Sequence, residues 1–139
     1  MISVIGLGYI GLPTALMFAA HGHEVVGTDL NEELVVMLNE GRTAFDEDGL
    51  DILLAEALTK GIKFATEYRQ SDVYIIAVPT PYDKFYKKID ACYIKDAVTS
   101  ILEVCPVGAI IVIESTVSPG TIDKFIRPVI EEKGFKVGE

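Results

Sequence analysis

Apolar positions in this chain fall into short, nearly unbroken runs, separated by longer stretches where they recur every three or four residues. The runs are residues 73–78 (Val-Tyr-Ile-Ile-Ala-Val), 109–113 (Ala-Ile-Ile-Val-Ile) and 2–5 (Ile-Ser-Val-Ile), the last interrupted only by Ser3. Such runs predict strands buried on both faces, as in a parallel sheet. Residues 24–29 and 63–65 read as two more strands. The helical spacing predicts helices over residues 12–20, 32–39, 50–60, 90–105 and 118–133. Helix ends carry their own punctuation. Gly22, Gly41 and Gly61 stand where a left-handed cap is needed, and Asn31 and Asp90 stand at N-termini. Ser118-Pro119 reads as an N-cap followed by proline at the first helical position. Residues 12–20 are apolar nearly all round, which predicts a helix covered on more than one side. The polar segment 82–89 reads as a surface loop, and residues 135–139 as the opening of another strand.

Strands alternating with helices in this order predict an α/β fold, a doubly wound and mainly parallel sheet with helices on both faces. Ligands of such sheets sit outside the carboxyl ends of the strands. Four loops therefore share one crevice: residues 6–11, Asp29, residues 79–81 and residues 114–116.

The first of these loops carries chemistry. Strand 2–5 runs into Gly6-x-Gly8-x-x-Gly11 and then into a helix. In a dinucleotide-binding unit Gly6 makes the tight turn, Gly8 leaves room for a pyrophosphate, and Gly11 lets helix and strand pack closely. The helix N-terminus then aims free N–H groups at the phosphates. Strand 24–28 ends in Asp29, 18 residues past Gly11, near the offset of a carboxylate that holds an adenosine ribose. A glycine cluster alone also fits an ordinary strand–turn–helix connection; its context favours the cofactor. Thr80 is held rigid between Pro79 and Pro81, each of which restricts its neighbour.

Composition narrows the remaining classes. At 139 residues and 50% hydrophobic content, the chain is expected to form one domain with a real core rather than a disordered segment. No apolar run reaches the roughly 18 residues of a membrane span. The net charge of −9 is uneven: residues 1–59 hold ten acids and one base, residues 60–139 eleven of each. That argues against nucleic acid and membranes as partners, and leaves local N–H groups to hold any anionic ligand. The first basic residue is Arg42, so there is no signal-peptide n-region. Cys92 and Cys105 then read as free thiols of a reducing cytoplasm. Cys105 continues the apolar stripe Ile94, Ala97, Val98, Ile101, Leu102, and Cys92 lies off it. Neither has a histidine or other base at a spacing that marks a nucleophile. His21 and His23 flank a helix cap, and two histidines alone do not make a metal site.

Three motifs in register add a resemblance. Residues 5–14 (Ile-Gly-Leu-Gly-Tyr-Ile-Gly-Leu-Pro-Thr), Ile-Ala-Val-Pro-Thr-Pro at 76–81 with Asp90-x-x-Tyr93-Ile94, and Glu-Ser-Thr-Val-x-Pro-Gly-Thr at 114–121 resemble signatures of the UDP-glucose/GDP-mannose dehydrogenase family. The similarity spans essentially the whole chain and is to the family's N-terminal, Rossmann-type NAD-binding domain. Pro79 leans toward the acetamido-sugar (UDP-N-acetyl-D-mannosamine) branch. The resemblance implies that Tyr9, Ile10, Asp29, Thr80 and Thr116 touch NAD, with Thr116 nearest the nicotinamide and helping to order the catalytic water. Asp48 replaces a usual proline and Leu34 an occasional basic residue, departures that bear on cofactor affinity.

The family reaction oxidises a sugar C6 alcohol to a carboxylate with two NAD, through a thiohemiacetal on a cysteine. It implies a UDP-sugar substrate, a homodimer or larger assembly, and a cytoplasmic role in polysaccharide biosynthesis. The family's catalytic Cys, Lys and Asn lie in central and C-terminal regions that this chain does not include. It is therefore expected to bind NAD without turnover. Two rivals are a 3-hydroxy-acid-type dehydrogenase domain, against which the second and third motifs argue, and a non-enzymatic NAD-sensing module, which the 139-residue length favours but the three motifs together outweigh.

Overall fold

The computed structural model describes residues 1–85 and 88–138. Its strands are β1 (Ile2–Ile5), β2 (Val25–Thr28), β3 (Lys63–Ala65), β4 (Val73–Ile76), β5 (Tyr82–Asp83), β6 (Lys88–Ile89) and β7 (Ile110–Ile113). The helices are α1 (Gly11–Ala20), α2 (Glu32–Asn39), α3 (Leu50–Thr59), α4 (Cys92–Leu102) and α5 (Arg127–Glu132). Five strands form one parallel sheet in the order β3-β2-β1-β4-β7. The order reverses at β1, where the chain first moves outward through β2 and β3 and then returns to build β4 and β7 on the other side.

Alternation along the strands sends successive side chains to opposite faces. Val4 and Ile75 join α1, α2 and α3 in one core, with Leu16, Leu38 and Leu54 fully buried there. Ile5, Tyr74 and Ile76 join α4 and the C-terminal helical segment in a second core around Ile94, Val98 and Ile101. The predicted doubly wound sheet with helices on both faces is the one observed.

Some caps fall where the sequence places them and others do not. The Asn31 side chain accepts from the Leu34 N–H at 3.2 Å; Asp90 accepts from the Cys92 N–H at 2.9 Å but stands one residue ahead of the N-cap of α4, Ala91, which makes no side-chain cap bond. Gly22 takes up φ +87°, closing α1 with its N–H donating to the Ala19 carbonyl.

Several expectations are corrected. The run 109–113 was expected to be buried on both faces, but β7 is an edge strand on which Ile110 and Val112 are 59% and 41% exposed. An unbroken apolar run cannot tell an edge from the centre. Helix α1, by contrast, is covered on more than one side as expected, by the sheet and by α3, with Met17 half exposed. The segment 82–89 is not a plain loop, because β5 and β6 pair as a short antiparallel ribbon; Tyr86 and Lys87 lie outside the described residues. Helix α4 ends at Leu102, so Cys105 sits in the turn that follows, with its N–H donating to the Ile101 carbonyl.

The expected helix over 118–133 starts later and is not uniform. Residues 118–120 form a turn, Ile122–Ile126 is π-helical, and only then does α5 begin. Pro128 supplies the reason. It has no N–H, and in an α-helix its ring would press on the carbonyl four residues back. Widening the preceding turn relieves that clash, and the Arg127 N–H reaches the Ile122 carbonyl, five residues back. Residues 135–138 form no strand, and Glu139 lies outside the described residues. Phe135 packs against the second core instead.

One buried group points to a stability test. Among the described residues, Thr28 Oγ1 is the buried side-chain atom without a hydrogen-bond partner. Thr28→Val removes that unpaired hydroxyl while keeping the branched shape, so it is expected to stabilise the fold by about 1 kcal/mol, raising Tm by about 3 °C. A fall in Tm on thermal unfolding would mean that the hydroxyl is satisfied after all.

Candidate functional site

The crevice is built at the carboxyl ends of β1, β2, β4 and β7, where four loops are tied to one another. The Gly6 N–H donates to the Thr28 carbonyl at 2.8 Å and Ala77 N–H to the Ile5 carbonyl at 2.8 Å. These bonds continue the ladder past the strand ends and draw the glycine loop, the Asp29 turn and the Pro79 loop together. The Ser115 hydroxyl donates to the Val78 carbonyl at 2.7 Å, joining the loop after β7 to the loop after β4. Thr14 Oγ1 donates to Glu114 Oε1 at 3.1 Å, closing the circuit from α1 to β7.

The three motif glycines do three different things. Gly6 turns at φ +89°, in the left-handed region where a side chain is strained, and a Cβ there would stand 2.8 Å from the Ala77 carbonyl oxygen. A Cβ on Gly11 would overlap the Gly6 carbonyl oxygen at 1.8 Å. Gly8 is the opposite case: a Cβ would meet nothing within 4 Å. Two of the glycines are therefore required by the fold, and the third faces open space. That open space lies beside the N-terminus of α1, which no side chain caps. In its first turn the Leu12 N–H already donates to the Gly8 carbonyl at 3.1 Å and Pro13 has no N–H, so the positive end of the helix and the backbone N–H groups around Tyr9 to Gly11 are what it offers an anion of pyrophosphate's kind.

Asp29 is half-buried, and both of its oxygens are engaged. Oδ2 accepts from the Leu7 N–H at 2.8 Å and Oδ1 from the Asn31 N–H at 2.9 Å. A carboxylate offers about four acceptor positions, so two remain for vicinal hydroxyls. The sequence placed Asp29 at this end of β2; it did not show that the same carboxylate pins the glycine loop.

Tyr9 and Ile10 project outward from the loop, 71% and 60% exposed. Tyr9 is not free. Its ring stacks on Phe45, with centroids 4.3 Å apart and planes tilted by 33°. Phe45 went unnoticed in the sequence; the only signal was one aromatic in an otherwise polar connection before α3. Thr80 is half-buried in the Pro79 loop and Thr116 is exposed in the loop after β7. The structure thus gathers the motif loops at one edge of the sheet.

Cys105 lies by the turn before β7, away from this constellation, whereas Cys92 opens α4 two residues past Asp90, whose N–H donates to the Pro81 carbonyl of the Pro79 loop at 2.8 Å. Partial desolvation, then the Asp90 carboxylate beside it, pushes the Cys92 thiol up from its ordinary pKa. Burial against the second core pushes Cys105 up as well. A nucleophilic cysteine needs the opposite shift. An apolar hollow of about 500 Å³, lined by Leu102, Cys105, Ile111, Ile130 and Phe135, opens at the amino end of β7, away from the glycine loop.

Comparison with known proteins identifies the family and the fold. Residues 1–138 match the model of the UDP-glucose/GDP-mannose dehydrogenase family, NAD binding domain. A UDP-N-acetyl-D-mannosamine dehydrogenase of Methanococcus vannielii is 46% identical over 138 residues, covering 96% of this chain and 32% of the relative. The structure of UDP-N-acetyl-mannosamine dehydrogenase from Staphylococcus aureus superimposes with TM-score 0.94 at 45% identity, over 99% of this chain and 34% of that one. A ternary complex of GDP-mannose dehydrogenase from Pseudomonas aeruginosa gives TM-score 0.85 at 33% identity, over 95% of this chain and 32% of that one. The chain spans about a third of the length of these relatives.

Proposed function

The chain belongs to the UDP-glucose/GDP-mannose dehydrogenase family as its NAD-binding domain, and from that premise we propose that it supplies the cofactor half of a UDP-N-acetyl-D-mannosamine 6-dehydrogenase. Bound NAD would supply a hydride acceptor there; the chain's own work is to hold and orient it. The observation that carries this reading is Asp29, fixed by two N–H groups beside an open, uncapped helix N-terminus.

Gly6, Gly8 and Gly11 shape the loop, and the N–H groups around Tyr9 and Ile10 receive the pyrophosphate. Asp29 accepts the adenosine ribose hydroxyls. Thr80 and Thr116 line the half of the crevice on the β4 and β7 side, Thr116 toward the nicotinamide. The sugar substrate, assembly as a homodimer or larger, a cytoplasmic setting and a place in polysaccharide biosynthesis complete the proposal. None of the helices among the described residues is long and apolar enough to cross a membrane.

Side-by-side titrations test the cofactor reading. The chain is expected to prefer NAD to NADP, because Asp29 repels a 2′-phosphate and no basic residue lies between Leu30 and Leu34 to receive one. Asp29→Ala should weaken NAD by about 1–3 kcal/mol, the range for a hydrogen bond to a charged group. Asp29→Asn keeps an acceptor for the Leu7 N–H but removes the charge, so its preference for NAD over NADP should shrink. Equal affinity of the parent for both cofactors would end the assignment of Asp29.

Binding without turnover is the second expectation. With both thiols shifted away from thiolate, this chain should produce no NADH from UDP-N-acetylmannosamine or UDP-glucose. Absorbance at about 340 nm follows this directly. Turnover that disappears on alkylation would make Cys92 or Cys105 catalytic, against this reading.

A further inference from the structure

We propose that the Glu114 carboxylate makes this site discriminate between the two oxidation states of its cofactor, favouring NAD⁺ over NADH. The inference rests on the NAD reading above, and goes beyond it to a residue that reading leaves without a role.

Topology decides which half of a dinucleotide lies where. With the pyrophosphate at the N-terminus of α1, in the middle of the sheet, and the adenosine ribose at Asp29 on the β2 side, the other nucleoside must extend the opposite way. It then lies over the ends of β4 and β7. In the loops that follow those strands, residues 77–81 and 114–118, Glu114 is the one charged side chain. Ser115 cannot substitute for it, since its hydroxyl is occupied by the Val78 carbonyl.

Glu114 is also held in place. The Thr14 hydroxyl from the first turns of α1 bonds to Oε1, which keeps the carboxylate at the mouth of the crevice and leaves Oε2 available. Thr14 lies three residues past Gly11, so the carboxylate is fixed to the helix whose N-terminus faces the pyrophosphate.

The two forms of the cofactor differ in charge at one place. The oxidised nicotinamide ring is cationic and the reduced ring neutral, while the phosphates and both riboses are the same. A neutral wall would treat the two forms alike; a fixed carboxylate favours the cationic ring alone. Opposite unit charges about 6 Å apart in a half-open, solvated cleft change an affinity by about 3–10-fold, less as salt rises. For a domain that must exchange reduced cofactor for oxidised, this bias speeds the exchange in the useful direction.

The competing explanation is that Glu114 and Thr14 only tie α1 to β7. Two substitutions separate the readings. Glu114→Gln keeps an oxygen for the Thr14 hydroxyl but removes the charge; Thr14→Val breaks the tie but keeps the charge. Dissociation constants for NAD⁺ and NADH are measured for all three proteins in low-salt buffer, with Tm as a folding control. In Glu114→Gln the ratio Kd(NADH)/Kd(NAD⁺) should fall about 3–10-fold at unchanged Tm. In Thr14→Val it should fall less. If both cofactors bind to Glu114→Gln with the parent's ratio, the inference is wrong and the NAD site stands. Equal weakening of both forms would make Glu114 a structural tie and also overturn it. Failure of the parent to bind either form would bring down the site reading, and the inference with it.

Discussion

Gly8→Val is expected to fold like the parent and to lose NAD binding by about 100-fold or more, equivalent to about 2.7 kcal/mol. Gly8 is not among the glycines with positive φ, so a side chain meets no backbone strain there. Nor does it meet protein, since a Cβ at this position has nothing within 4 Å. The only partner a valine could obstruct is a ligand lying over the loop and the N-terminus of α1. Circular dichroism and Tm should match the parent, while calorimetric titration with NAD should show the loss. Gly8→Ala, with a smaller obstruction, should fall between the two. A Gly8→Val protein that binds NAD normally would move the pyrophosphate away from this loop.

Gly11→Ala is expected to do the reverse and damage the fold before it damages the site. Its added carbon would stand 1.8 Å from the Gly6 carbonyl oxygen and 3.0 Å from the Ala77 Cβ. The Gly6 oxygen is backbone and cannot rotate away. Either α1 moves off the sheet or the turn at Gly6 opens, and Leu12, Ala15 and Leu16 all lose packing. A cost of about 3 kcal/mol or more is expected, at the upper end for an added core atom. Denaturant unfolding measures it. A Gly11→Ala protein with the parent's midpoint would show that helix and loop have slack that this structure does not display. Within one motif, then, the same added methyl group separates a fold requirement from a ligand requirement.

The fold was legible where local chemistry decides it. Asn31, Gly22 and Gly41 act within a few residues of their own positions, and helix ends fell where they stand. The four crevice loops were legible for a related reason. In a doubly wound sheet, the carboxyl ends of neighbouring strands meet whatever the loops contain, so naming the strands placed the loops. The errors came where the outcome depended on something elsewhere. Pro128 was overlooked inside the expected helix, though its missing N–H signalled a break that the π-helical stretch then accommodates. Phe135 looked like the start of a strand because an apolar residue after a helix cap reads that way, while its ring is used against the second core.

By itself the sequence determined the parallel sheet, the helices on both faces, the glycine loop and the acid that answers it. All of these follow from periodicity, caps and short-range spacing, which act along the chain. Tertiary structure alone decided that β7 is an edge, that Asp29 pins the loop through the Leu7 N–H, that Phe45 supports Tyr9, and that Thr14 fixes Glu114. Each of these joins residues separated by 22 to 100 positions, or depends on which neighbour a strand lacks. Side-chain contacts across such distances are set by how the helices settle on the sheet, and no local pattern in the chain encodes them.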